Sequence, residues 1–154
     1  GPNGAGKTTL IRLMNLMYFP DDGFLKFNGQ LLKKDHLKNI GYLPEERGLY
    51  PDLSVQEQLT FFAKLRGLSN NEAVASANYW IEKLQMKSWR NKNIESLSKG
   101  MAQKVQFITT ILHEPKLLIL DEPFSGLDPV NSQLIKNEIT ALKKKKTTIS
   151  NKNI

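Results

Sequence analysis

Residues 117–122 read LLILDE, four apolar residues followed directly by two carboxylates. A strand that is apolar at every position is typical of a parallel sheet buried on both faces. Such a strand delivers Asp121 and Glu122 to the carboxyl edge of the sheet, where open α/β proteins bind their ligands. The stretch therefore predicts an α/β fold with an acidic site at one sheet edge. The alternative is a strand followed by a solvated acidic pair.

The first eight residues, GPNGAGKT, match the P-loop pattern GxxxxGK[ST]. Glycines let successive backbone N–H groups turn toward a polyphosphate, and the helix that starts here points its positive dipole end at the same group. Lys7 is expected to reach the β- and γ-phosphate oxygens, and the Thr8 hydroxyl to hold Mg²⁺. A chance glycine-rich turn is the alternative. The residues predicted to bind the nucleotide here are Gly1, Asn3, Gly4, Ala5, Gly6, Lys7, Thr8 and Thr9.

The acidic pair supplies the carboxylates that the phosphate loop does not contain. Asp121 is predicted to support Mg²⁺, directly or through water, and Glu122 to polarise the attacking water as the catalytic residue. Because the two patterns seldom occur together by chance, their joint presence disfavours the solvated-pair interpretation. The site is thus expected to bind a polyphosphate together with Mg²⁺.

Composition limits the class of protein. The chain has 154 residues, a net charge of +7 and no cysteine, which excludes a disulfide framework, a thiolate zinc site and a cysteine nucleophile. Five lysines within the last twelve residues carry most of the charge, so a solvated helix end is favoured and no nucleic-acid partner is expected. No apolar run reaches the ~18 residues of a membrane span, and a single soluble cytosolic domain is the default expectation.

The spacing of apolar residues predicts the secondary structure of the rest of the chain. Apolar residues at spacings of three and four predict helices that start after Ser54, at Asn70, after Ser98 and after Asp128. Ser54 and Glu57 form a capping-box pattern, and Asp128 with the following proline is an N-cap signal. Short strands are predicted at residues 24–27, 40–43 and 147–149, the last ending where the polar run from Ser150 begins. The helical block interrupts an α/β frame, which indicates an inserted subdomain.

Two further segments narrow the class. Residues 97–101, LSKGM, precede a helix, and residues 125–128, SGLD, follow the acidic strand. With the P-loop, this order resembles the ATP-binding subunit of an ABC transporter, in which these segments are the signature and the D-loop. The resemblance implies a P-loop NTPase (RecA-like) core with an inserted α-helical subdomain. The expected division is 1–50 for the P-loop part of the core, 51–115 for the helical subdomain with the signature, and 116–154 for the acidic-strand part.

The family's mechanism assigns roles to these segments. Two ATPase subunits bind ATP head to tail, so Ser98 and Gly100 are expected to contact the nucleotide of a second subunit, with Asp128 of the D-loop nearby. Glu45 stands where the family has the glutamine of its Q-loop and is expected to contact the metal. Lys99 and Met101 depart from the family signature.

The resemblance also implies partners and a location. A transmembrane permease subunit is the expected partner, which places the chain on the cytoplasmic face of the membrane; Tyr79, Trp80 and Trp89 are candidates for that surface. Residues 42–50 look most like bacterial sodium-extrusion and drug-export (NatA-like) ATPases, which predicts export. An ABC ATPase acting on ribosomes or DNA is a further alternative, supported only by the basic end.

The ends depart from the family pattern. The strand before the P-loop and the adenine-stacking aromatic are not in the chain, and no histidine follows His113 where the family has its switch histidine. We therefore expect a fragment whose first strand is missing and whose last strand is incomplete. The alternative function is a truncated or pseudogene remnant that binds ATP weakly without useful hydrolysis.

Overall fold

The computed structural model describes residues 6–46, 48–145 and 147–151. These ranges contain both helices and strands, and three short 3₁₀ segments lie at Lys34–Asn39, Lys87–Trp89 and Ile94–Ser96. In chain order, the elements are α1 (Lys7–Met14), β1 (Lys26–Phe27), β2 (Gln30–Leu31), β3 (Ile40–Leu43), α2 (Val55–Leu65), α3 (Asn70–Lys83), α4 (Lys99–Ile111), β4 (Leu117–Leu120), α5 (Pro129–Lys144) and β5 (Thr148–Asn151).

The central described sheet is parallel, with strand order β3-β4-β5. β3 pairs with β4 from Ile40↔Leu117 to Leu43↔Leu120, as expected for strands at these positions. β5 pairs with β4 from Leu117↔Thr148 to Leu120↔Asn151. The prediction that this strand ends at residue 149 is therefore wrong, because the backbone ladder continues through two polar residues whatever their side chains.

Both faces of the sheet are covered, as its apolar strands predict. On one face, Ile40 and Ile119 pack with Ile11 of α1. On the other face, Leu43 and Leu118 belong to a larger cluster shared with the helices. Side chains alternate across a strand, so β3 and β4 each contribute to both clusters.

Gly41 in β3 allows α4 to pass directly over the sheet. A Cβ atom at this position would overlap the carbonyl oxygen of Thr110 and lie 3.0 Å from Cγ of Pro115 and 3.1 Å from Cδ1 of Leu118. A backbone carbonyl of a helix packed against the sheet cannot move aside easily, so only glycine fits. This close approach brings α4 within hydrogen-bonding reach of the loop after β3.

The helical block begins as its capping signals predict. Ser54 accepts a hydrogen bond from the Glu57 N–H at 3.3 Å, and the Glu57 carboxylate accepts one from the Ser54 N–H at 2.9 Å. Ser69 and Glu72 repeat this arrangement at the start of α3. Trp80 is only 6% exposed and belongs to the same core cluster as β4 and α5, so it does not lie on the surface suggested for it.

The hairpin before β3 is shorter than predicted. Residues 24–27 are apolar enough to suggest a four-residue strand, but only Lys26–Phe27 pairs, with Gln30–Leu31. Phe24 is 67% exposed, with the Lys26 ammonium 5.1 Å from its ring centroid, so it is not buried against another element. Across the described residues, no helix is both long and apolar enough to cross a lipid bilayer.

Candidate functional site at the carboxyl edge of the sheet

The loops that leave β3 and β4 lie side by side. The Asp121 N–H, just after β4, donates a 2.9 Å hydrogen bond to the carbonyl oxygen of Leu43, the last residue of β3. Asp121 is 3% exposed, whereas Glu45 and Glu122 are exposed. The pairing of the two strands therefore brings the three predicted carboxylates to one edge, from loops separated by about 75 residues of sequence.

Glu122 has a left-handed backbone conformation, with φ of +52°. That region is uncommon for a residue with a Cβ atom, and such residues often cluster at functional sites. Three hydrogen bonds hold this turn. The Ser125 N–H donates to the Glu122 carbonyl at 3.1 Å. The Gln103 Nε2 donates to the Glu122 carbonyl at 3.4 Å and to the Pro123 carbonyl at 3.3 Å. The backbone of Glu122 is thus fixed, while its carboxylate stays exposed.

The phosphate-loop residues are only partly described. Gly1, Asn3, Gly4 and Ala5 lie outside the described residues, and for Lys7 the structure describes the backbone, which opens α1. Gly6 precedes the helix with φ of +74°, a conformation that glycine adopts without strain, and its carbonyl accepts from the Leu10 N–H at 2.9 Å. Thr8 and Thr9 are exposed on the first turn of α1.

The signature segment starts α4. The Ser98 hydroxyl caps the helix by accepting from the Met101 N–H at 3.3 Å, as expected of an N-cap, and Ser98 itself is exposed. Gly100 lies against the D-loop, because a Cβ atom there would be 3.2 Å from the Gly126 carbonyl oxygen. Signature and D-loop segments of the same chain are therefore in contact.

Asp128 caps α5. Its Oδ1 accepts a 2.9 Å hydrogen bond from the Asn131 N–H, and the Asn131 side chain also donates to the carboxylate. The Asn131 hydrogen bonds lower the pKa of Asp128 below its usual value. The N-cap predicted from sequence is confirmed, and this carboxylate is charged at neutral pH.

Three polar side chains of α4 were not identified from the sequence. Gln103, Lys104 and Gln106 are all buried, and Lys104 Nζ donates to the Leu84 carbonyl at 3.0 Å. Burial lowers the pKa of Lys104, while the negative charge of Asp128 acts in the opposite direction. The available signal is that the polar residues of α4 after Gly100 are glutamine and threonine, with Lys104 as the only charged residue, whereas a surface helix usually carries several charges on its exposed face.

The donor set at this edge suits Mg²⁺. Mg²⁺ is bound in proteins through one or two carboxylates together with phosphate oxygens and water. The Asp121 carboxyl group is buried at the end of a strand whose backbone is fixed by the bond to Leu43, and Glu45 follows the neighbouring strand. Among the described residues, no three acidic or histidine side chains group closely enough to hold a metal by themselves, so these carboxylates fit Mg²⁺ as one or two ligands beside phosphate oxygens.

Comparison with known proteins supports the sequence pattern. The model of the ABC transporter family matches residues 1–125. An uncharacterised ABC transporter ATP-binding protein of Alkalihalophilus pseudofirmus is 48% identical over 97% of this chain and 56% of its own length. Two Bacillus subtilis proteins each match 97% of this chain. NatA, an ABC transporter ATP-binding protein, is 33% identical, and the match covers 62% of its length. LnrL, a linearmycin resistance ATP-binding protein, is 34% identical, and the match covers 49% of its length. The chain spans about half the length of the curated relatives it matches.

The fold of the chain is similar to that of solved ABC transporter subunits. One, an ATP-binding subunit of an ABC transporter, has a TM-score of 0.86 and 32% identity over 98% of this chain and 64% of that chain. Another is cbiO1 of Clostridium perfringens, part of the ABC transporter complex cbiONQ, with a TM-score of 0.77 and 27% identity over 98% of this chain and 63% of that one. The P-loop NTPase fold class expected from the sequence is confirmed.

Proposed function

The chain belongs to the ABC transporter family as an ATP-binding subunit, and on this premise we propose that it binds and hydrolyses ATP to drive transport through a partner membrane permease. One observation carries the proposal. The parallel pairing of β3 and β4 places Glu45, Asp121 and Glu122 at a single sheet edge, with Asp121 bonded to the end of β3.

We assign nucleotide binding to the loop and first turn of α1. The backbone N–H groups of this loop and the Lys7 ammonium bind the phosphates, because a helix N-terminus with glycines before it is an anion site. Bound Mg²⁺ neutralises charge on the phosphate oxygens and orients them. Thr8, Asp121 and Glu45 would hold the metal. The assigned phosphate-binding residues are Gly1, Asn3, Gly4, Ala5, Gly6, Lys7, Thr8 and Thr9.

We assign the catalytic role to Glu122. Its carboxylate is exposed at the sheet edge, where it can accept a proton from water attacking the terminal phosphate. The hydrogen bonds to its carbonyl hold the backbone, so that the side chain is presented from a fixed turn. The buried Asp121 is thus suited to binding the metal and the exposed Glu122 to activating water, which supports the proposal of hydrolysis.

A second ATPase subunit completes the site in this proposal. Ser98 and Gly100 present the N-terminus of α4, which is 13 residues long, to the nucleotide of the partner subunit. Asp128 holds the start of α5 next to this surface. The contact between Gly100 and the D-loop keeps both segments together as one face.

The permease is proposed to dock beside the loop after β3, on the cytoplasmic face of the membrane. An aromatic cluster follows that loop, with Tyr50 and Phe61 in edge-to-face contact at 5.5 Å and Phe61 and Phe62 at 5.7 Å. Tyr50 and Phe61 are exposed, which is typical of an interaction surface. Export is the proposed direction; the likeness to NatA and to a resistance protein supports it.

The remnant hypothesis is not favoured. A relative that is 48% identical over 97% of the chain argues that the folded segment is retained as a whole, with both acidic residues present at the strand end.

The test uses Glu122→Gln, with Glu114→Gln as matched control, since Glu114 is also exposed and has φ of +52°. We expect the Glu122 variant to accumulate as an ATP-bound dimer in sedimentation velocity, and the Glu114 variant to behave as wild type. A Glu122 variant that stays monomeric with ATP and hydrolyses it at the wild-type rate would refute the assignment.

A further inference from the structure

Gln106 lies in the middle of α4 and holds the loop after β3 from both sides of Glu45. Its Nε2 donates 3.2 Å hydrogen bonds to the carbonyl oxygens of Pro44 and Glu46. The side chain is 3% exposed, and the two carbonyls are 62 and 60 residues away in the sequence. Both hydrogens of one buried amide are therefore used on the residues that flank the proposed metal contact.

A cavity of about 300 Å³ lies between the loop and the helix, with Pro44 and Gly48 on one side and Gln106, Thr109 and Thr110 on the other. Because apolar packing does not fill this space, the amide is the polar bridge across it. Burying an amide costs free energy unless it is hydrogen-bonded, so an apolar residue would suit a merely structural position better.

The oxygen of the same amide group shows the free-energy cost of burying it. Gln106 Oε1 is buried and has no hydrogen-bond partner among the described residues. A half-satisfied amide in a core is unfavourable on its own account. Its presence is explained if the two donors are needed to hold the loop.

The same helix holds the second loop of the site. Gln103, one helical turn before Gln106, donates to the carbonyls of Glu122 and Pro123. Residues three apart share a face of a helix, so one face of α4 carries both bridges. That helix begins at Ser98, about 12 Å from Gln106 along the axis.

We propose that Gln106 is a positioning residue for Glu45, fixing its backbone so that its carboxylate meets the bound metal, and that it links this loop to the helix that starts at Ser98. The inference rests on the proposed function, because it assumes that Glu45 contacts Mg²⁺. Groups that orient a metal ligand are worth about ten- to a hundredfold in metal affinity or activity.

The test compares Gln106→Leu with Thr110→Val in the same purified protein. Thr110 is equally buried on α4, and its hydroxyl donates to the Gln106 carbonyl at 2.9 Å, so the control loses one buried hydrogen bond while both bonds from the Gln106 amide to the loop remain. The readout is the affinity for ATP as Mg²⁺ is titrated. We expect Gln106→Leu to raise the half-saturating Mg²⁺ concentration about tenfold or more, with metal-free ATP binding unchanged. Thr110→Val should leave the Mg²⁺ dependence unaltered.

A double-mutant cycle shows whether Gln106 acts through Glu45. If it does, Glu45→Ala, which removes the metal-binding oxygen, combined with Gln106→Leu is no worse in Mg²⁺ dependence than Glu45→Ala alone. Effects that add, or a Gln106→Leu protein with wild-type Mg²⁺ dependence, would overturn the proposal.

Two outcomes separate this proposal from the function on which it rests. If wild-type protein binds no ATP with Mg²⁺, the proposed function fails. If wild-type protein binds ATP with Mg²⁺ and the Gln106 variants show the same Mg²⁺ dependence, the proposed function stands and only the positioning role fails. Gln106→Met, which fills a similar volume without an N–H donor, is the second variant; if both variants unfold, Gln106 is a structural residue and the proposal is wrong.

Discussion

The backbone N–H of Asp121 donates a 2.9 Å hydrogen bond to the carbonyl oxygen of Leu43. This bond continues the β3–β4 ladder by one step beyond the strand residues, so the loop carrying Glu45 and the loop carrying Asp121 start in fixed register. Since backbone atoms form the bond, the Asp121 side chain can be changed without breaking it. The register and the carboxylate can therefore be tested separately.

Asp121→Asn is expected to keep the fold and lose metal-dependent binding. An amide of the same shape removes the negative charge, so the gain in ATP affinity on adding Mg²⁺ should fall by about tenfold or more. Titration of a fluorescent ATP analogue with and without Mg²⁺ measures this gain. Equal Mg²⁺ enhancement in variant and wild type would show that Asp121 does not support the metal.

Substitutions at Ser98 separate capping from nucleotide contact. Ser98→Ala removes the N-cap and is expected to lower the free energy of unfolding by about 1 kcal/mol. Ser98→Asp keeps a capping oxygen but adds negative charge where the partner's phosphates are expected, so its stability should be near wild type while ATP-dependent dimerisation is lost. Urea unfolding and sedimentation velocity measure the two properties. A Ser98→Asp protein that dimerises normally with ATP would exclude the proposed contact.

Gly41→Ala is expected to destabilise the protein by about 1–3 kcal/mol, because the added methyl group overlaps the Thr110 carbonyl in a packed interior. Gly48→Ala is the matched control, since a Cβ atom there meets nothing within 4 Å. Denaturant unfolding of both variants measures the difference. If the two variants unfolded at the same denaturant concentration, the close approach of α4 to β3 would be wrong.

His113 makes the stability depend on pH. Burial, and secondly the positive charge of Arg66, lower the pKa of His113 from 6.5 to about 4. The folded state thus favours the neutral ring, so this contribution is complete above pH 6.5 and is lost as the pH falls toward 4. At pH 5 the loss amounts to about 2 kcal/mol.

The measurement is urea unfolding at pH 7.5 and pH 5 for wild type and His113→Gln. Glutamine does not titrate, so the variant should lose less stability between the two pH values, by about 2 kcal/mol. His36 is present in both proteins and cancels in the comparison. An identical pH dependence would mean that His113 titrates normally in the fold.

The strands at the site were predictable because their pattern is local. Residues 117–120 are apolar throughout and residues 40–43 end at a proline, and both form the strands expected of them. The caps at Ser54, Ser98 and Asp128 also depend only on nearby residues, and all three are confirmed. The family resemblance, carried by motifs spread over the chain, is confirmed as well.

Long-range contacts were not predictable in the same way. The partners of Gln103 and Gln106 lie about 20 and 60 residues away, and no spacing rule connects them. The strand predicted at residues 24–27 fails for a related reason: a mostly apolar segment extends as a strand only where it is buried, and Phe24 is 67% exposed. The roles assigned to Glu45, Asp121 and Glu122 remain predictions, which their common placement at one sheet edge supports.

Release of inorganic phosphate from ATP with Mg²⁺, measured side by side for wild type, Glu122→Gln and Glu114→Gln, tests the central claim most directly. We predict steady phosphate release by wild type and by Glu114→Gln, and a loss of about a hundredfold or more in Glu122→Gln, because a positioned general base contributes on that order. Equal rates in all three proteins, or no release by any of them, would contradict the proposal that this sheet edge hydrolyses ATP.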